Sequence, residues 1–112
     1  MAHIKQHIKD CEELLGDGFK GVHEFLDMYT LEFPIQIFRD YHRTFLHNTY
    51  GLEIIYIKWG VTTKDAGIAH LCRDYCGEGD ISWLFEAPNR INRILTEFNN
   101  PENCYYYSLL KQ

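Results

Sequence analysis

The chain has 112 residues, with 16 acidic and 11 basic side chains and a formal charge of −5. This length predicts one domain, and a hydrophobic share of 46% with 15% aromatic residues is typical of a globular protein and excludes a largely disordered one. The negative charge argues against broad nucleic-acid binding, which needs a concentrated positive field. The longest apolar run, Ile54–Ile57, is far shorter than the roughly 20 residues of a membrane span, so we expect no membrane partner.

The cysteine pattern and the amino terminus indicate a reducing, cytoplasmic environment. The four cysteines include no CxxC pair, and the chain starts without the apolar segment of a signal peptide. Cys72 and Cys76 lie four residues apart, so on a helix they would share a face and could bind zinc. Because free thiols are also common small hydrophobic residues in protein cores, packing is the interpretation that we favour.

The first half of the chain is predicted to form three helices. Apolar residues recur over residues 2–15 at three- and four-residue spacing, the period of an amphipathic helix. The glycines of residues 16–21 end this helix, and a second, short one follows and stops before Pro34. The longest predicted helix covers residues 34–59, and its β-branched residues at 54–57 leave a short strand there as the alternative.

Shorter elements are predicted for the second half. Residues 60–67 are interpreted as a loop, and residues 68–75 as a short helix that Gly77 closes. Asp80 is expected to cap a further short helix, and Pro88 to open the last one.

Together these elements predict a mainly all-α protein. We expect a compact bundle of about five helices that forms one domain over residues 1–112, since helices bury their apolar faces against one another. Residues 98–112 are expected to form a tail that docks on this core or on a second chain, because the tyrosine-rich stretch at 104–110 is apolar.

Six histidines are the most unusual feature of the composition. His3 and His7 are four residues apart on the first predicted helix, where two imidazoles can chelate one divalent metal ion. His70 and Asp74 repeat this spacing. They are interpreted as two metal ligands, as a general base with its orienting carboxylate, or as a surface pair, and these alternatives stay open.

The other histidines differ in their predicted surroundings. His42 lies at the edge of the apolar stripe of the long helix and faces the interior, which makes it the better ligand or catalytic candidate. His47 is expected at a helix interface or against a loop carbonyl. His23 lies four residues before Asp27, and we expect this pair to cap and solvate the second helix.

Three predicted helices each contribute an inward-facing histidine, and helix bundles build metal sites from side chains on facing helices. The sequence therefore predicts a site for a divalent metal such as zinc, manganese, iron or nickel, with the ligands His3, His7, His42, His70 and Asp74. A catalytic version of this site would use His42, His70, Asp74 and Arg43.

A bound metal would lower the pKa of a coordinated water for hydrolysis of a phosphate-containing small molecule, while Arg43 or Arg73 neutralises the phosphate. A purely structural metal is the alternative. No glycine-rich phosphate loop or other well-marked catalytic motif occurs, so whether the chain is an enzyme stays open.

The histidine motifs also resemble those of a small family of bacterial and phage proteins of unknown function. The resemblance covers residues 1 to about 85, and a family position with a second histidine is Asn48 here. It implies that the histidines belong together as a set, and it implies no particular reaction. The motifs that carry it are Met1-Ala2-His3 with His7, His23-Glu24-Phe25-Leu26-Asp27, Tyr41-His42-Arg43 with Leu46-His47, and Ala69-His70 with Asp74.

A different class of function is a non-enzymatic interaction protein of a phage or mobile element that binds and inhibits a host protein. Interfaces favour large aromatic residues, and residues 105–107 are three tyrosines that could act as anchors beside Trp83 and Phe85. The same tail could instead mediate self-association.

Overall fold

The computed structural model describes residues 4–27 and 46–99. In these two ranges the chain forms helices and no strand, which confirms the all-α bundle and excludes a strand at residues 54–57. The elements are α1 (Ile4–Leu15), α2 (Lys20–Leu26), α3 (Thr49–Trp59), α4 (Val61–Cys76), a 3₁₀-helix (Leu84–Glu86) and α5 (Pro88–Asn99).

The loop between α1 and α2 is tightly constrained. Gly16 ends α1 with a φ of 83°, and Phe19 has a φ of 51°, in the left-handed region that non-glycine residues rarely adopt. The Asp17 carboxylate accepts a hydrogen bond from the Phe19 backbone N–H at 2.9 Å. A Cβ at Gly18 would lie 2.7 Å from Cγ2 of Ile8, so only glycine lets this loop pack against α1.

The single helix predicted for residues 34–59 is wrong in its described part. Asn48 is extended, and its side chain accepts a hydrogen bond from the Gly51 backbone N–H at 3.0 Å, so it caps a helix that begins only at Thr49. Asparagine favours this role because its short amide competes with helical backbone bonds. Gly51 is needed in the first turn, because a Cβ there would collide with the Leu46 carbonyl.

The loop predicted for residues 60–67 is also wrong, because α4 is continuous from Val61 to Cys76. Gly67 marks a close helix contact instead of a turn. A Cβ on it would lie 2.8 Å from the Leu52 side chain and 3.0 Å from that of Ile55, both on α3. The chain instead turns at Gly60, whose φ is 103°, and α4 ends at Cys76 with Gly77 as its C-cap, as predicted.

Helix α4 occupies the centre of the fold and contacts α1, α2, α3 and α5. Its fully buried residues Leu71 and Cys72 pack into a core that also holds Cys11 and Leu26, which confirms the packing interpretation for Cys72. None of the described helices is long and apolar enough to cross a membrane. The predicted tyrosine-rich tail lies outside the described residues.

Candidate metal centre

Six ionisable side chains meet inside this helical core. The four histidines among them are 0% exposed, and the two aspartates are 9% and 5% exposed. Burying such groups is costly unless they are paired or bind an ion, so their mutual contacts define the site. They are His7 on α1, His23 on α2 and Asp27 at its end, His47 just before α3, and His70 and Asp74 on α4.

Helical spacing explains how most of these side chains reach the core. His70 and Asp74 are four residues apart on the buried face of α4, and His23 and Asp27 have the same spacing on α2 and its C-terminal cap. His47 lies instead in the short turn before α3, and the capping side chain of Asn48 holds this turn.

Four of these residues, Asp27, His47, His70 and Asp74, bring one donor atom each to a common point, and we call them the four-donor cluster. The Nε2 atoms of His47 and His70 are 3.1 Å apart. Asp74 Oδ2 lies 2.9 Å from His47 Nε2 and 3.4 Å from His70 Nε2. Asp27 Oδ1 lies 3.4 Å from His47 Nε2 and 3.3 Å from His70 Nε2.

These separations match those of ligands around one metal ion. Metal–nitrogen and metal–oxygen bonds of about 2.1 Å place neighbouring ligand atoms roughly 3.0 Å apart in an octahedral site and roughly 3.4 Å apart in a tetrahedral one. All four donor atoms lie within 4.8 Å of one another. The buried His/Asp cluster could therefore hold a metal ion.

The carboxylates of the cluster are strongly held in their charged form. Burial alone would raise the pKa of Asp74, but its close contacts with His47, His7 and His70 hold it well below its usual range. The pKa of Asp27 is also lowered, because burial is outweighed by the close contact with His70 and by its charge. Two buried anions in contact need a cation between them.

The two histidines of the four-donor cluster differ in protonation: the pKa of His70 is raised and that of His47 is lowered. Burial lowers the pKa of His47 to about 4, so this ring is neutral near pH 7. Burial acts in the same direction on His70, but its contacts with the Asp27 and Asp74 carboxylates outweigh burial and raise its pKa. Without a metal, a proton on His70 therefore supplies the positive charge that the carboxylates require.

His7 borders the cluster. Its ring stacks on that of His70 with centroids 3.6 Å apart, and its Nε2 lies 3.1 Å from Asp74 Oδ1. This contact does not meet the geometry of a hydrogen bond, and neither ring nitrogen of His7 has a hydrogen-bond partner within the described ranges. The same holds for Asp27 Oδ1. Buried polar atoms without partners are uncommon, and a bound ion is one way to satisfy them.

Asp10 and Arg73 form a separate buried pair beside the cluster. The Arg73 guanidinium donates to both carboxylate oxygens of Asp10, at 2.7 and 2.9 Å, and also to the carbonyls of Gly77 and Gly79. These bonds to Asp10 and to two backbone carbonyls do not favour the predicted phosphate-neutralising role of Arg73, which stays a prediction. The pair instead joins α1 to the C-terminal end of α4, next to Asp74.

Three of the predicted metal ligands, His7, His70 and Asp74, lie in or beside the cluster. The remaining candidates fall outside the described residues: His3, His42 and Arg43.

Three other members of the site were not predicted as ligands. His23 and Asp27 are buried instead of solvating α2, and their four-residue spacing, identical to that of His70 and Asp74, was the signal for them. His47 has no aspartate at such a spacing, and its position depends on Asn48, which interrupts the helix predicted for residues 34–59.

Comparison of the chain with protein-family models, with curated proteins and with solved structures finds no match. The resemblance to the bacterial and phage family therefore stays a prediction from short motifs, and the site's own geometry carries the functional argument.

Proposed function

We propose that this chain binds one divalent metal ion at the four-donor cluster, through Asp27 Oδ1, His47 Nε2, His70 Nε2 and Asp74 Oδ2. The observation that carries this proposal is the convergence of these four buried atoms at separations of 2.9 to 3.4 Å along five of their six edges. Two imidazoles with two carboxylates suit zinc, manganese, iron or nickel. Calcium and magnesium prefer oxygen ligands alone.

Hydrolysis is the reaction class that we attach to this site, with phosphate-containing small molecules as the substrate class. A metal ion held by Asp27, His47, His70 and Asp74 would supply an activated water for hydrolysis. The chain's own residues hold the charge balance, because two carboxylates and two neutral imidazoles leave the loaded site with no net charge. The free thiols Cys11, Cys72 and Cys76 support the proposed cytoplasmic setting.

The metal proposal is tested by elemental analysis of untagged protein purified without chelator, followed by titration of the metal-free protein with zinc, manganese, iron(II) and nickel. We expect near-stoichiometric binding of at least one of these ions. The variants Asp27→Asn and His47→Gln should lose it while keeping the circular dichroism of a folded helical protein. Glu24→Gln is the matched control, because Glu24 lies on α2 with its side chain 49% exposed.

Wild-type protein that is folded and binds none of the four ions would overturn the metal proposal. The hydrolytic part has its own test, in which the metal-loaded protein is incubated with phosphomonoesters, phosphodiesters and nucleotides. Turnover should depend on the ion and vanish in Asp27→Asn. A loaded, folded protein that hydrolyses none of these compounds would refute the reaction class and leave the metal site standing.

A further inference from the structure

We infer that His23 is a positioning residue that fixes the tautomer and the ring plane of His70, an inference that rests on the metal site proposed above. His23 is fully buried, and its two ring nitrogens contact different groups. Its Nε2 lies 2.9 Å from the carbonyl oxygen of Gly18, and its Nδ1 lies 2.9 Å from Nδ1 of His70.

The Gly18 carbonyl determines where the protons are. A carbonyl oxygen only accepts hydrogen bonds, so Nε2 of His23 must carry a proton and donate it. In a neutral His23 ring, Nδ1 then has a lone pair and accepts. The proton between the two rings therefore belongs to Nδ1 of His70, which leaves Nε2 of His70 free to bind a metal ion.

The charges around the two rings exclude the opposite arrangement. A doubly protonated His23 would donate from Nδ1 to His70, but in the described part of the chain His23 forms no ion pair that would stabilise such a buried cation. Both carboxylates of the site instead lie beside Nε2 of His70, at 3.3 Å for Asp27 and 3.4 Å for Asp74. Positive charge, as a proton or a metal ion, is therefore stabilised on that side of His70.

The loop before α2 fixes the position of the Gly18 carbonyl, which is the first group in this chain of hydrogen bonds. Gly18 precedes Phe19, whose φ of 51° turns the chain, and the Asp17 carboxylate secures the turn through the Phe19 N–H. Gly18 itself packs against Ile8 so closely that no side chain fits. The chain of hydrogen bonds thus runs from the Gly18 carbonyl through His23 to His70, which belongs to the four-donor cluster.

Metal-binding histidines commonly donate their second N–H to a protein acceptor, and removing that acceptor weakens metal binding about 10- to 100-fold. Here the acceptor is another histidine, itself oriented by a backbone carbonyl. His23 would act without contacting the ion, so its effect should appear in the affinity and in the spectrum of the bound metal.

The direct test is a long-range proton–nitrogen NMR spectrum of the wild-type histidines, recorded on metal-free and zinc-loaded protein. We expect a proton on Nε2 of His23, a lone pair on its Nδ1, and a proton on Nδ1 of His70 in both states. A neutral His70 protonated only at Nε2, or a proton on Nδ1 of His23, would overturn the inference. This measurement decides the tautomers even if the protein binds no zinc, in which case the proposed function fails separately.

The second test compares two variants at the same position. His23→Phe fills the ring volume without an acceptor, and we expect it to weaken zinc binding about 10- to 100-fold and to shift the visible absorption bands of the cobalt-loaded protein. His23→Asn places an amide oxygen near the position of Nδ1 and should recover part of both effects. A folded His23→Phe that binds zinc as the wild type does, with unchanged cobalt spectra, would refute the positioning role.

Discussion

Replacing Asp27 by asparagine should have opposite consequences in the metal-free and metal-loaded protein. Asparagine has the same shape as aspartate but no charge, so the substitution tests the electrostatics of the four-donor cluster with little change in packing. A hydrogen-bonded cluster that only stabilises the fold would lose stability in both states. If the cluster is a metal site, the substitution should lower the stability mainly of the protein to which metal has been added.

The magnitude in the metal-free protein follows from two distances. The Asp27 oxygen lies 3.3 Å from His70 Nε2, which with a protonated His70 gives an attraction of about 5 kcal/mol at an effective dielectric constant of about 20. It also lies within 4.8 Å of the Asp74 oxygen, which gives a repulsion of at least about 3.5 kcal/mol by the same formula. The attraction to His70 therefore exceeds the repulsion from Asp74 only slightly, and the cost of burying the Asp27 carboxylate offsets this small net attraction. We therefore expect the free energy of unfolding to change by less than about 2 kcal/mol.

Zinc changes this balance, because an ion that binds only the folded state adds about 2.7 kcal/mol of stability at a concentration 100 times its dissociation constant. Urea unfolding with zinc and with chelator measures both states of the wild type, of Asp27→Asn and of the control Glu24→Gln. The wild type and the control should gain this stability, and Asp27→Asn should not. Equal zinc stabilisation in all three proteins, or a loss above about 3 kcal/mol for metal-free Asp27→Asn, would refute the reasoning.

Three further predictions concern the scaffold. Arg73→Leu leaves Asp10 as an unpaired buried charge and should lower the free energy of unfolding by about 3–5 kcal/mol in urea titrations; a loss below about 1 kcal/mol would contradict it. Gly67→Ala should cost about 1–3 kcal/mol, because its Cβ meets α3 side chains, whereas Gly21→Ala, with open space around it, should gain up to about 1 kcal/mol. Thermal unfolding of both variants checks the opposite signs. Burial raises the pKa of the Cys11 thiol to about 12, so mass spectrometry should find it unalkylated until the protein unfolds.

Sequence patterns correctly predicted those helices whose formation depends on residues close together in the chain. The helical period of α1 and the proline that opens α5 require no knowledge of the tertiary structure, and both helices form in the described residues. Gly67 shows where such patterns fail. A glycine weakens an isolated helix, but it also permits close packing of two helices, and only the position of α3 decides between these outcomes.

The site was partly predictable for the same reason. The spacing of His70 and Asp74 places both on one face of any helix, whatever surrounds it. For His23 and Asp27 the spacing was equally clear, but the exposure of that face depends on how α2 packs against α4. Burial therefore decided whether this second pair was a solvated cap or part of the site.

The convergence of the cluster results from helix packing and from one interruption of the helix predicted for residues 34–59. Two histidine–aspartate pairs on α2 and α4 supply three of the four donors, and each pair is held by a regular backbone. The fourth, His47, comes from the turn before α3, whose first helical residues Asn48 caps. Asn48, which interrupts the predicted long helix, thus also holds the turn from which His47 joins the other three donors.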